Sequence, residues 1–190
     1  MSVLLIDNYD SFTYNLAQLV RECGVTDLKI VKTDQLNFSQ VARFHKILIS
    51  PGPGLPVDYP NLAKILEIYS GSKSILGVCL GHQAIAEFFG ANLINLNEVY
   101  HGVSKKVNIR VDDYLFNQIP DGFEGGLYHS WAVSPENFPQ DLILTSATDD
   151  GIIMSLSHRR YDIKGIQFHP ESIMTKYGRQ ILRNWIEHHP

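Results

Sequence analysis

The 190-residue sequence has few cysteines, no basic run and no long apolar run. Its two cysteines, Cys23 and Cys79, cannot form a disulfide framework, so a reducing cytoplasm is the expected location. The formal net charge is −4, which argues against nucleic-acid and anionic-membrane partners. The N-terminal stretch MSVLLIDNYD lacks a basic region, and its apolar run is too short for a signal peptide or a membrane span. The sequence therefore predicts a globular cytoplasmic protein.

Motifs for common cofactors are also missing. The chain has neither G-x-G-x-x-G nor G-K-[ST], so a dinucleotide or P-loop site is poorly supported. It has no H-E-x-x-H motif and no Cys/His spacing typical of a metal site, so we expect no metal and no cofactor. No repeat, low-complexity tract or linker interrupts the sequence. A length of 190 residues suits one sizeable core, and we predict a single domain over residues 1–190.

The first half of the chain alternates short apolar runs with helical patterns. Continuous apolar runs of this length are typical of strands buried on both faces of a parallel sheet. Helical stripes lie between them, and Asp10 or Ser11 is a candidate N-cap of the first helix. The apolar runs are VLLI (3–6), KILI (46–49) and SILGV (74–78).

The second half contains strand-like segments separated by turns, followed by a last helix from Tyr177 to about Ile186. The whole pattern predicts an α/β fold, with a doubly wound, mostly parallel sheet flanked by helices and a small antiparallel extension. Ligands of such folds bind at the carboxyl ends of the strands. The segments span residues 104–111, 126–133, 142–147, 151–158 and 163–168.

The pentapeptide GVCLG (77–81) places a cysteine between an apolar run and a helix. This is the G-x-nucleophile-x-G pattern of a nucleophile elbow, with cysteine instead of serine. Glycines relieve crowding in such a strained turn, and a helix N-terminus favours the thiolate form of a cysteine. The N–H group of Leu80 would lie next to Cys79, where it can stabilise an oxyanion. The alternative is a small buried residue in a glycine-rich turn, because an isolated match is weak evidence.

A thiol nucleophile needs a base, and the histidine of GIQFHPES (165–172) is the best candidate. His169 follows an apolar strand, and Glu171 projects to the same side two residues later, where it can orient the imidazole. A strand-end histidine beside a surface glutamate is the alternative. Among the other histidines, we expect His82 to pack or cap and His158 to be solvated.

The loop ISPGPGLP (49–56) also follows a buried strand. Pro51 and Pro53 stiffen it, whereas Gly52 and Gly54 allow a ligand to approach the backbone closely. The loop can therefore supply a second N–H group to an oxyanion hole. An ordinary rigid turn is the alternative.

Taken together, GVCLGHQ (77–83), FHPES (168–172) and SPGPG (50–54) resemble the motifs of the class I, or triad, glutamine amidotransferase family. The stretch LLIDNYDSFTYNL (4–16) is similar, within that family, to the small subunits (component II) of anthranilate synthase and para-aminobenzoate synthase. The resemblance continues through GIQFHPESIMTKYG (165–178) and so runs from end to end. The order and spacing of the motifs make it specific, whereas each motif alone is not.

The resemblance implies roles for these residues. Cys79 would attack the side-chain amide of L-glutamine, His169 would act as base and then as acid, and Glu171 would orient it. Backbone N–H groups of Gly52 and Leu80 would bind the oxyanion. The ammonia released would pass to a partner, a larger chorismate-binding synthase subunit. The residues implied for the glutamine pocket are Gly52, Pro53, Gly54, Leu80, Gln83, Ser130 and Trp131.

Several alternatives stay open at this point. HGVSKK (101–106) departs from the HGKTS pattern usual in the family, which weakens the choice between the anthranilate pathway, the para-aminobenzoate pathway and a subunit shared by both. DNYDSF (7–12) is either a surface for the synthase or a set of capping and packing residues. The competing functions are another cysteine hydrolase of the same fold, acting on peptides or polyglutamates, and a regulatory subunit with an idle triad.

Overall fold

The computed structural model describes residues 1–189, which form eleven strands and five α-helices. The strands are β1 (Ser2–Asp7), β2 (Asp27–Lys32), β3 (Lys46–Ile49), β4 (Ser74–Val78), β5 (Leu93–Asn95), β6 (Val103–Ile109), β7 (Phe123–Leu127), β8 (Trp131–Val133), β9 (Leu142–Ala147), β10 (Ile153–His158) and β11 (Ile163–Ile166). The helices are α1 (Thr13–Glu22), α2 (Phe38–Val41), α3 (Pro60–Tyr69), α4 (Leu80–Phe88) and α5 (Gly178–Glu187).

Nine of the strands form one sheet in the order β2-β1-β3-β4-β11-β10-β9-β6-β7. The first five strands in this order run parallel to one another. The remaining four continue the sheet with antiparallel pairing, and β5 pairs with β8 in a separate two-stranded sheet. The predicted α/β class, with a mostly parallel sheet and an antiparallel extension, is confirmed.

Helices cover both faces of the parallel strands, as the continuous apolar runs require. Successive side chains of a strand point to opposite faces. In β1, Val3 and Leu5 therefore join a core that includes α1 and the fully buried Trp185 of α5. Leu4 and Ile6 join a second core, formed with α3 and α4. This arrangement makes the sheet doubly wound.

The strand predicted over residues 126–133 is wrong, and β2 and β5 were not predicted. Residues 126–133 do not form one strand, because β7 ends at Leu127 and the chain turns through residues 128–130 before β8 begins in the other sheet. Strand β2 was not predicted. It is an edge strand with partly exposed side chains, so it lacks the continuous apolar run that marks β1, β3 and β4.

The predicted solvation of His158 and the predicted cap of α1 are also corrected. His158 lies in β10 and is buried, with its ring stacked 4.5 Å from that of Tyr161. Burial lowers the pKa of His158.

Helix α1 begins at Thr13, and the N-cap position is Phe12, so neither Asp10 nor Ser11 occupies it. Asp10 instead accepts a hydrogen bond from the Phe12 N–H group at 2.7 Å and closes the turn before the helix.

The parallel strands bring four connections to one edge of the sheet. β1, β3, β4 and β11 are consecutive neighbours, so their carboxyl ends lie side by side. The loops that follow them carry the sequence motifs DNYDSF, SPGPG, GVCLG and FHPES. Within residues 1–189, no helix combines the length and the apolar character needed to cross a membrane.

Candidate active site

Cys79 occupies a strained turn between β4 and α4. Its φ of 52° and ψ of −101° place it in the left-handed half of backbone space, which a non-glycine residue adopts only under constraint. The flanking glycines allow this turn. A Cβ on Gly77 would lie 2.3 Å from the carbonyl oxygen of Gly81, and a Cβ on Gly81 would lie 2.6 Å from that of Ile49. Strand and helix therefore approach so closely that both positions require glycine.

The His169 side chain forms a buried pair with Glu171. The His169 Nδ1 atom lies 2.7 Å from Glu171 Oε1, and the exposed fractions of the two side chains are 3% and 0%. Because a carboxylate only accepts, Nδ1 carries the proton and donates it. The His169 N–H group donates to the Gly126 carbonyl, and the Thr175 hydroxyl donates to the His169 carbonyl. These two hydrogen bonds fix the backbone of His169. The imidazole is therefore oriented with Nε2 away from the carboxylate.

The environment of His169 favours its charged form. Burial alone would lower its pKa, but interactions with Cys79 and with Glu171 outweigh burial and raise the pKa to about 10. Within residues 1–189, His169 Nε2 makes no hydrogen bond. The Cys79 sulfur therefore raises the pKa of His169 through its proximity and not through a formed hydrogen bond. The rings of Tyr128 and Phe12 pack edge-on against the imidazole, at 4.9 and 5.9 Å between centroids. These rings limit its access to water.

Gly52 and Leu80, the two predicted oxyanion donors, lie against each other. A Cβ on Gly52 would lie 2.6 Å from Leu80 Cδ2 and 2.8 Å from the carbonyl oxygen of Asn8, so only glycine fits. Leu80 is the first residue of α4, where backbone N–H groups have no partner within the helix. The arrangement places the loop after β3 beside the start of the nucleophile helix.

Asn8 and Ser50 support this loop, and the sequence interpretation missed both. The Asn8 side-chain amide donates to the Ser50 carbonyl at 2.8 Å, and the Asn8 N–H group donates to the Ser50 hydroxyl at 2.9 Å. The Tyr59 hydroxyl donates to the Pro53 carbonyl at 2.9 Å. Asn8 and Ser50 are both fully buried. A polar residue directly after a buried strand is the only signal in the sequence that could have indicated them.

Two adjoining clefts meet at Cys79. The first has a volume of about 210 Å³, and the predicted pocket residues Gly52, Pro53, Gly54, Gln83, Ser130 and Trp131 all line it. Leu80 does not line this cleft, because its side chain is buried. Residues that the sequence interpretation did not place there also line it: Val99, Tyr100, Tyr128 and His129.

The second cleft has a volume of about 340 Å³, and both Cys79 and His169 line it. Tyr9, Asp10, Ser11 and Phe12 of the DNYDSF stretch also line it. A larger cavity, of about 680 Å³, lies instead at the amino ends of the strands and includes neither Cys79 nor His169. Cavity size therefore does not identify the site, whereas the position of the thiol does.

Two other histidines near Cys79, His82 and His129, stay neutral and are unsuited to act as the base. Burial and the neighbouring His129 lower the pKa of His82 to about 3, and the ring packs against Gly165. Burial lowers the pKa of His129 to about 4, and its Nδ1 atom lies 2.8 Å from the Trp131 carbonyl oxygen. His82 therefore packs inside the fold, as predicted. Within the described residues, no trio of His, Cys, Asp or Glu could hold a metal ion.

The HGVSKK stretch borders the clefts at its first residue. His101 lines both clefts, and its ring packs edge-on against Tyr128. Lys105 donates to the Tyr100 hydroxyl at 2.8 Å and pairs with Asp150 at 2.6 Å. The stretch thus supports the wall of the first cleft through Tyr100.

Known proteins that are similar to this chain indicate its family. The sequence matches the family described as Glutamine amidotransferase class-I over residues 4–188. A Haemophilus influenzae protein provisionally named anthranilate synthase component II is 45% identical over 186 residues, which cover 98% of this chain and 96% of the relative. The Bacillus subtilis protein named aminodeoxychorismate/anthranilate synthase component 2 is 38% identical over 188 residues, which cover 97% and 95%.

A solved structure has a similar fold. A Thermoplasma acidophilum protein, provisionally described as one subunit of a GMP synthase, superposes with a TM-score of 0.88 at 27% identity, over 98% of this chain and 92% of that one. The family match spans nearly every residue of the sequence, and the sequence relatives agree with it over almost their full length. The chain belongs to the class-I glutamine amidotransferase family.

Proposed function

We propose that this protein hydrolyses L-glutamine at Cys79 and delivers the ammonia to a larger, chorismate-using synthase subunit. The observation that carries the proposal is the meeting of two clefts at Cys79. One cleft is lined by Gly52 and Trp131, and the other brings in His169 with its Glu171 partner. A nucleophile, an oriented base and a small polar pocket are the parts that amide hydrolysis through a covalent intermediate requires.

In the first step, His169 Nε2 holds the proton that it has taken from the Cys79 thiol, and the Cys79 thiolate attacks the side-chain carbonyl carbon of glutamine. The C–S bond forms and the carbonyl oxygen becomes an oxyanion, which we expect the Gly52 and Leu80 N–H groups to bind. Glu171 accepts a hydrogen bond from His169 Nδ1, which leaves Nε2 available to exchange the thiol proton, and it stabilises the imidazolium. The high pKa of His169 supports its function as a proton acceptor next to the sulfur.

In the second step, the C–N bond breaks and His169 returns its proton to the departing nitrogen, which leaves as ammonia. A thioester to Cys79 remains. His169 then accepts a proton from water, the hydroxide adds to the thioester carbonyl, and the C–S bond breaks. The sulfur regains its proton, so the net reaction consumes one water and yields glutamate and ammonia.

The choice of partner rests on the relatives. Two relatives that match over nearly their full length are named as the second component of anthranilate synthase, and one of these names also includes aminodeoxychorismate synthase. We therefore propose a heteromer with a separate chorismate-binding subunit, and we favour anthranilate synthase. A para-aminobenzoate synthase subunit, or one subunit shared by both, is the second candidate that the Bacillus subtilis name supports. A cytoplasmic location fits a reactive thiol that must stay reduced.

The test uses Cys79→Ala with Cys23→Ala as the matched control. Cys23 is a free, partly exposed thiol at the end of α1, away from both clefts. Each variant is purified with the synthase that accompanies the chain in its native cell, and product formation from chorismate is measured with glutamine and with ammonia. We expect Cys79→Ala to lose only the glutamine-dependent product, whereas Cys23→Ala keeps both. Glutamine hydrolysis by Cys79→Ala would overturn the assignment of the nucleophile.

The same preparation separates the competing functions. The product formed with the co-purified synthase distinguishes anthranilate from aminodeoxychorismate. Hydrolysis of peptides or polyglutamates in place of free glutamine would favour another cysteine hydrolase. Failure of the chain to hydrolyse glutamine in complex with its synthase would favour a regulatory subunit with an idle triad. Low activity of the isolated chain would not favour a regulatory subunit, because partner binding often completes such sites.

A further inference from the structure

A chain of buried hydrogen bonds connects the wall of the first cleft to the sulfur of Cys79. The Gln83 Nε2 atom donates to the Trp131 carbonyl at 2.8 Å and to Gln167 Oε1 at 3.1 Å. The Gln167 Nε2 atom donates to Cys79 Sγ at 3.5 Å. Gln167 is fully buried, and Gln83 is 3% exposed. The family resemblance gave Gln83 a place in the substrate pocket but gave Gln167 no role.

The direction of each bond follows from its fixed end. A backbone carbonyl can only accept, so the Gln83 atom that faces Trp131 must be its NH₂ group. That NH₂ group also contacts Gln167, so the Gln167 atom facing it must be the acceptor oxygen. The remaining Gln167 atom, which faces the sulfur, is therefore a donor. The orientation of the Gln167 amide is thus determined by the network and is not an arbitrary choice between two flips.

The backbone holds both ends of the last bond in place. The Gln167 N–H group donates to the Met154 carbonyl at 2.8 Å, and the Cys79 N–H group donates to the Ile166 carbonyl at 2.8 Å. Gln167 directly follows β11, which pairs with β4, the strand that ends at Cys79. The donor and the sulfur are therefore positioned by neighbouring strands of one sheet, which is a rigid support for a catalytic contact.

We propose that Gln167 is a catalytic residue whose side-chain N–H group stabilises negative charge on the Cys79 sulfur and aims the sulfur toward the first cleft. The inference rests on the proposed glutamine hydrolysis. A hydrogen bond to a charged acceptor is stronger than one to a neutral acceptor, and burial strengthens it further. The contact therefore favours the state in which the proton has moved from the sulfur to His169. It also holds the sulfur when the C–S bond breaks in the last step.

Gln167 lines neither cleft, so it does not touch the substrate directly. Its loss should therefore act on the sulfur and leave glutamine binding nearly intact. We expect Gln167→Met, which keeps the side-chain length without a donor, to lower kcat about 10- to 100-fold with little change in KM. A residue that only supports the fold would not separate kcat from KM in this way.

The direct test measures alkylation of Cys79 by iodoacetamide as a function of pH, in a Cys23→Ala background so that one thiol reacts. The thiolate is the reactive form, so the profile reports how readily the sulfur loses its proton. We expect Gln167→Met to move the midpoint of the profile upward by about one pH unit or more. Gln167→Asn withdraws the amide by one methylene but keeps a buried amide, and we expect it to move the midpoint in the same direction.

Ser155→Ala is the matched control for a buried polar loss that does not reach the sulfur. Ser155 lies in β10, is fully buried, and its hydroxyl contacts those of Thr145 and Ser146 at 2.6 Å. Thermal unfolding of each variant verifies that it is folded, and Ser155→Ala should leave the alkylation profile unchanged. An unchanged profile in whichever of Gln167→Met and Gln167→Asn is folded overturns the proposal.

The alkylation assay contains no glutamine, so its outcome is independent of the proposed function. If the wild-type complex fails to hydrolyse glutamine, the proposed function is wrong, while the profiles still report whether Gln167 acts on the sulfur. If the wild type hydrolyses glutamine and the profiles do not shift, only the role of Gln167 is wrong.

Discussion

The buried pair of His169 and Glu171 gives the sharpest prediction for stability and its dependence on pH. Glu171→Gln keeps the size of the side chain but removes its charge. The amide oxygen can still accept from His169 Nδ1, but the NH₂ group replaces Glu171 Oε2, which has no hydrogen-bond partner within residues 1–189. The variant therefore loses a charge-assisted bond and gains a buried donor without an acceptor.

The size of the effect follows from burial. Hydrogen bonds to charged groups contribute about 1.5–3 kcal/mol, and a buried donor without a partner costs about 1–3 kcal/mol. We expect the free energy of unfolding at neutral pH to fall by about 2–4 kcal/mol. Glu22→Gln is the matched control. Its pair with Arg179, at 3.0 Å, has side chains that are 39% and 53% exposed, so its loss should cost at most about 1 kcal/mol.

The difference in the free energy of unfolding between wild type and Glu171→Gln should depend on pH in a defined direction. Burial opposes protonation of His169, but Cys79 and Glu171 raise its pKa in the folded protein from 6.5 to about 10. A raised pKa stabilises the fold fully below the unfolded value, and this stabilisation is lost as the pH rises through the folded value. The difference should therefore be largest below about pH 6.5 and narrow as the pH approaches about 10.

Urea unfolding of both proteins across this pH range is the assay. Titration of groups remote from the site contributes equally to wild type and variant and cancels in the difference. A difference near zero at neutral pH, or one that grows as the pH rises toward 10, would refute the reasoning that an imidazolium–carboxylate pair exists in the folded site.

Two further predictions concern the base and the loop after β3. His169→Ala should lose glutamine-dependent product by about 10²-fold or more while ammonia-dependent synthesis by the partner continues, because general acid–base catalysis supplies a factor of this size. Full activity of that variant with glutamine would eliminate His169 as the base. Gly52→Ala should abolish glutamine hydrolysis and lower the thermal midpoint, because its Cβ would lie 2.8 Å from the Asn8 carbonyl oxygen. Gly71→Ala is its control, since the nearest atom, on the Tyr161 ring, lies 3.7 Å away, and equal behaviour of the two variants would contradict the steric argument.

The sequence was informative where a local pattern has a single structural solution. Continuous apolar runs predicted β1, β3 and β4, because such runs suit a strand buried on both faces. It was uninformative for β2, whose partly exposed residues at the sheet edge carry no apolar run. It was misleading at residues 126–133, where an apparently continuous strand is divided between two sheets. Pairing partners that are distant in the sequence decide such cases.

The residues of the site can likewise be separated into those that the sequence indicated and those that it did not. The spacing of His169 and Glu171 and the glycines around Cys79 could be interpreted from the sequence, because each depends on neighbours a few residues apart. Asn8, which fixes the loop carrying Gly52, acts across 42 residues through Ser50. His158 was predicted to be solvated because it precedes two arginines, but its place in a central strand buries it.

The sequence by itself determined which residues can do the chemistry, because a strained turn and a histidine–glutamate pair are set by local backbone geometry. The tertiary structure alone decided how these residues meet and what surrounds them. Gln83 and Gln167 are 84 residues apart, and Gln167 and Cys79 are 88 residues apart, yet hydrogen bonds join them inside the protein. The physical reason is that the parallel sheet brings the carboxyl ends of distant strands together, and burial then makes each polar contact among them strong.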